Sequence, residues 1–107
     1  MSVVDKTATM DFVCTGAIFE WRGPAPYYYL PVPSDLCEDL RAQASLASYG
    51  WGVVPVMAES GGVAFSTSLF PREGGYLIPL KKAVREKLQV SCGDTLTVSF
   101  TVVFPAL

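Results

Sequence analysis

A proline that closes a short apolar strand and opens a short helix occurs twice in this chain, about 48 residues apart. The clearer copy starts at Gly74-Gly75. That turn releases Tyr76-Leu77-Ile78, and Pro79 ends the strand because proline has no N–H to give to a ladder. Leu80, Val84 and Leu88 then fall at i, i+4 and i+8 with Ala83 beside them. Lys81, Lys82, Arg85, Glu86 and Lys87 take the other face. Upstream, Tyr28-Tyr29-Leu30-Pro31-Val32 followed by Leu36 and Leu40 repeats the order. The spacing predicts helices over residues 34–44 and 81–88, within pseudo-repeat halves at about 8–49 and 50–104.

The remaining elements read as strands. Leu96, Val98, Phe100, Val102 and Phe104 alternate with Thr95, Thr97, Ser99 and Thr101, the pattern of a sheet with one dry and one wet face. Residues 8–21 read as one long strand, with Met10, Phe12 and Cys14 on one side. Past Gly16 the apolar phase passes to Ala17, Phe19 and Trp21, as expected of a β-bulge. Residues 22–26 form a turn and 27–32 the second strand. Residues 51–59 are the third, placed at an edge by Pro55. Ser60-Gly61-Gly62 makes a hairpin turn into a fourth strand over 63–69. Six strands, two short helices and many tight turns predict a mainly β fold, a small six-stranded, antiparallel-rich barrel with an internal pseudo-two-fold. Residues 1–7 read as a flexible tail before a single domain over 8–107.

Composition excludes several classes of function. Half of the 107 residues are hydrophobic, enough for one well-filled core. A net charge of −2 supplies no overall positive field for nucleic acid. No apolar run approaches the roughly 20 residues of a membrane helix, and the first residues lack the basic-then-apolar order of a secretion signal. A cytoplasmic protein with no membrane partner is the expectation. Cys14, Cys37 and Cys92 are odd in number and widely spaced, with no Cys-x-x-Cys pair, so neither a disulfide framework nor a zinc site is supported. With no histidine there is no Ser-His-Asp or Cys-His system, and no phosphate-binding glycine loop or nucleophile elbow occurs. Asp35, Glu38 and Asp39 read as helix-start and solvent-face charges. The expectation is no enzyme, no metal and no cofactor.

The runs Ser68-Leu69-Phe70-Pro71, Gly74-Gly75-Tyr76-Leu77-Ile78-Pro79-Leu80-Lys81-Lys82-Ala83-Val84-Arg85 and Gly93-Asp94 resemble a bacterial family of domains of unknown function. That family occurs alone or fused to YdeI/OmpD-associated, bacteriocin-protection-like domains. The strand from Phe12 to Trp21 and the Leu30-Pro31-Val32-Pro33 step fit it too, so the resemblance covers nearly the whole chain. It implies a double-split or swapped-hairpin β-barrel related in architecture to AbrB and MazE, and no particular activity.

Two groups of residues are candidate binding sites. Arg72, Lys81, Lys82 and Arg85 offer a basic surface for an anionic ligand, with the two lysines at the start of the second helix. Trp21, Tyr27, Tyr28, Tyr29, Trp51 and Tyr76 cluster at strand ends and turns, with Trp21, Tyr28 and Trp51 as the candidate aromatic groove for a small molecule or a protein partner. The first reading is a binding or interaction module for an anionic or small-molecule partner. An AbrB-like nucleic-acid contact is one alternative. The other is a structural, self-associating domain, monomer or weak dimer, pairing an acidic first helix with a basic second.

Overall fold

A computed structural model describes residues 11–22, 27–47 and 53–103, with the backbone alone at 43–47. The expected tail, most of the 22–26 turn, Met10, Trp51 and Phe104 lie outside the described residues. The chain runs β1 (Asp11–Ala17), β2 (Phe19–Trp21), β3 (Tyr27–Pro31), α1 (Ser34–Ala47), β4 (Val54–Ser60), β5 (Val63–Arg72), β6 (Gly75–Pro79), α2 (Lys82–Leu88) and β7 (Thr95–Val102). Every strand pair is antiparallel, in the order β1-β7-β4-β5-β6-β3-β2, and the sheet curls into a half-barrel. None of the described helices is long and apolar enough to cross a membrane.

Among the described residues seven strands stand where six were expected, because the long first strand is two. Ile18 parts them: its N–H donates to the Asp94 carbonyl at 2.9 Å and its carbonyl accepts from Gly93 N–H at 2.8 Å. β1 pairs with β7 and β2 with β3, so consecutive strands stand at opposite ends of the sheet order. Nor does the buried phase change at Gly16. Phe12, Cys14 and Ile18 continue one inward row, which turns Phe19 and Trp21 outward.

β4 is an inner strand, not an edge, although it carries Pro55. The β4–β7 pairing ends at Val56↔Val102, one residue short of the proline. Beyond that point only a carbonyl is required, and Pro55 accepts from Val103 N–H at 2.9 Å. The Ser60-Gly61-Gly62 turn is as expected, with Gly61 and Gly62 at φ 54° and 83°, a geometry that glycine adopts without strain. Glu59 accepts the Gly62 N–H at 2.8 Å, and buried Ser60 donates to the Thr97 carbonyl at 2.6 Å.

The core is the inner face of the sheet. Leu30, Val54, Leu69, Ile78, Leu80 and Val98 are fully buried. Phe12 and Phe100 sit opposite each other in β1 and β7 and stack at 5.2 Å. α1, longer than the expected 34–44, packs on β4, β6 and β7 and sends Cys37 and Leu40 inward. α2 packs on β5 through a stripe centred on buried Val84. The two strand–proline–helix units lie against each other as β3 and β6, with Leu30 opposite Ile78. Val32 N–H donates to the Tyr76 carbonyl at 3.0 Å and Leu80 N–H to the Tyr28 carbonyl at 2.9 Å. The two donors are 48 residues apart, and so are the two acceptors in the opposite sense, so the bonds exchange the two units.

Among the described residues two non-glycine residues hold left-handed backbone, Glu73 at φ 50° in the β5–β6 turn and Gln89 at φ 57° closing α2. Such backbone costs an L-residue roughly 1–2 kcal/mol, partly offset in a glycine variant by its looser unfolded chain. Glu73→Gly and Gln89→Gly are each expected to stabilise the protein by about 0.5–1 kcal/mol, read as a raised urea midpoint at unchanged m-value.

Burial pushes the Cys14 thiol from its ordinary 9.0 up to about 11. The unfolded chain therefore ionises first as pH rises, and stability intact below pH 9 is lost toward pH 11. Wild type is expected to lose about 2 kcal/mol more than Cys14→Ala between pH 8 and pH 10.5 in urea melts.

Candidate functional site

Three consecutive tyrosines in a strand must alternate in direction, and the neighbours of β3 decide which way each points. Phe19 stands opposite Tyr29 and Trp21 opposite Tyr27, so these four rings share the outer face of β2 and β3. Tyr29 lies at the centre of the row, 5.4 Å from Tyr27 and 6.0 Å from Phe19 between ring centroids. Tyr28 points the other way and packs against the core. The Arg85 guanidinium covers its ring, 3.8 Å from the centroid, while Arg85 Nε donates to the Leu80 carbonyl at 3.1 Å.

The aromatic row continues across the sheet. Pro79 lies opposite Tyr29 on β6, and Phe70 of β5 lies opposite Leu77, two residues before Pro79 on the same face. β5 changes partner at this point, pairing with β4 as far as Leu69 and with β6 from Phe70 onward. The sheet folds where the partner changes, and an open groove of about 670 Å³ runs along its outer side. Tyr27, Tyr29 and Pro79 form one wall, Pro55, Met57 and Val103 the opposite one. Ser66, Thr67, Ser68 and Phe70 of β5 lie between them, and Lys81 stands at the margin. Phe70 and Met57 are 49% and 51% exposed, high values for large apolar side chains with core available beneath them. No described lining residue is a carboxylate.

A family model for a domain of unknown function, DUF1905, matches residues 15–100, which include every described lining residue except Val103. The chain belongs to the DUF1905 family. No curated protein matches it.

In this DUF1905 chain the four basic candidates go to different places. Lys81 lines the groove. It precedes α2 as an extended N-cap residue instead of opening the helix, as the 81–88 expectation had it. Lys82 faces Glu86 one turn on, at 3.9 Å. Arg85 is held on Tyr28, and Arg72 stands 4.0 Å from Glu73 beside a smaller hollow shared with Arg41. Of the aromatic candidates, Trp21 extends the outer row at 40% exposure, Tyr28 is turned inward and Trp51 lies outside the described residues. Tyr27 and Tyr29 of the same aromatic cluster do line the groove, whereas Met57 and Phe70, which also line it, were not among the candidates. A signal for Phe70 existed, since Ala64, Ser66, Ser68 and Phe70 form one alternating outward row. Among the described residues no three cysteines or carboxylates gather as metal ligands.

Arg85 is thus tied to the fold and not to the groove. Arg85→Ala is expected to cost about 1–2 kcal/mol, from the lost stack and the charged hydrogen bond, while ligand affinity at the groove stays within twofold. Paired denaturation and dye-binding curves check both halves.

Proposed function

We propose that this domain is a non-enzymatic binding module whose outer groove takes a small organic molecule. The observation that carries this reading is the placement of half-exposed Phe70 and Met57 around one concavity with Tyr27 and Tyr29. Stability alone gives no reason to leave such surface wet, and a groove of this volume lies in the range of small-molecule sites. The lining has no histidine and no described carboxylate, the commonest acid–base groups, which supports binding over catalysis. An AbrB-like nucleic-acid contact is the weaker reading, because Lys82, Arg85 and Arg72 are engaged away from Lys81.

The same reading extends to architecture and setting. We take the half-barrel as a double-split barrel, with β1 and β2, joined through Ile18, at the two ends of the sheet order. The halves at about 8–49 and 50–104 correspond to β1–β2–β3–α1 and β4–β5–β6–α2–β7, and the pairings between them at β1–β7 and β3–β6 support an interleaved arrangement. A bacterial cytoplasmic protein, in some relatives joined to a YdeI/OmpD-associated domain, is the setting that the resemblance implies.

The test is a neutral environment-sensitive dye such as Nile red. Wild type is expected to bind it saturably at one site. Phe70→Ser should weaken binding about tenfold, the equivalent of withdrawing one phenyl ring from the contact. Equal affinity in the two proteins would exclude the groove as the binding site.

A further inference from the structure

The charges at the groove narrow the ligand class. Lys81 is the one basic side chain in the described lining, which holds no carboxylate to answer it. Most other described cations are occupied. Arg22 faces Glu20 at 3.4 Å, Arg72 faces Glu73, Lys82 faces Glu86, Arg85 stacks on Tyr28, and Arg41 donates to the Gly74 carbonyl. Only Lys81 and Lys87 have no such partner among the described residues, and Lys87 lies on the exposed side of α2.

We infer that the groove takes an amphiphilic organic monoanion, its head on Lys81 and its apolar body along Pro79, Tyr29, Phe70 and Met57. The inference rests on the reading of the groove as a small-molecule site. A neutral apolar ligand would crowd the ammonium group and give it no counter-charge. A small dianion such as phosphate would match one charge of two and would leave the aromatic wall uncovered. One negative charge on an apolar body satisfies both parts of the lining. The hydroxyls of Ser66 and Ser68, on the outward row of β5, are available to the polar end.

Decanoate, decanol and inorganic phosphate are the probes, titrated calorimetrically against the full chain at low and moderate salt. Decanoate is expected to bind about fivefold more tightly than decanol, with the advantage shrinking as salt rises. Phosphate is expected not to bind. Lys81→Gln should remove the decanoate advantage and leave decanol unchanged, and Lys81→Arg should keep it. If decanol matches decanoate in wild type, or Lys81→Gln preserves the difference, the monoanion is overturned while the groove stands as a neutral apolar site. If phosphate alone binds, or nothing does, the groove itself fails as a site for organic ligands.

Discussion

The antiparallel contact between β3 and β6 governs the rest of this molecule. It brings Leu30 and Ile78 together with no exposure, and two hydrogen bonds that exchange the two units frame it. Each bond uses the first free N–H beyond a proline, on Val32 and on Leu80. The prolines therefore stop their strands without leaving a buried donor unpaired, and each chain is released toward its helix at a defined place. Because β3 is held in this register, Tyr27 and Tyr29 must face outward and Tyr28 inward. The groove wall and the Arg85–Tyr28 stack are both consequences of that one alignment.

β5 supplies the second constraint. Its ten residues are too many for either neighbour alone, so it pairs with β4 along one part and with β6 along the other. The bend between the two parts keeps the inner side packed on Leu69 and opens the outer side at Phe70. Pro55 and Pro79, both in the groove lining, cannot donate to a further strand there. The concavity thus stays open to side-chain contacts and closed to sheet extension.

Legibility in the sequence followed how local each determinant was. β7 is visible in its alternation because its inner row of Leu96, Val98, Phe100 and Val102 is complete. The strand–proline–helix units are visible because proline acts within a residue or two. The break at Ile18 was not, since it depends on Gly93 and Asp94, some 75 residues away. Reading Phe19 and Trp21 as a shifted inner row followed from assuming that apolar means buried, and at this outer face that assumption fails. Pro55 misled for a related reason: what makes it tolerable in an inner strand is where β7 stops pairing, a tertiary fact. The groove combines residues from four strands and the start of α2, and no short window contains that combination.

Beside the groove, the outer face carries hydroxyls and two carboxylates. Thr15 and Thr97 share a hydrogen bond at 2.8 Å, Thr101 donates to Asp11, and Glu59 accepts the Gly62 amide. Both carboxylates are held by these hydrogen bonds outside the described groove lining. Lys81 is then left as an isolated positive charge beside aromatic surface. A polyanion such as a nucleic-acid backbone needs several cations in series to displace its counterions, and one does not suffice. Under the proposal made above, a single ammonium beside an apolar wall favours small molecules whose one charge lies at the end of an apolar body.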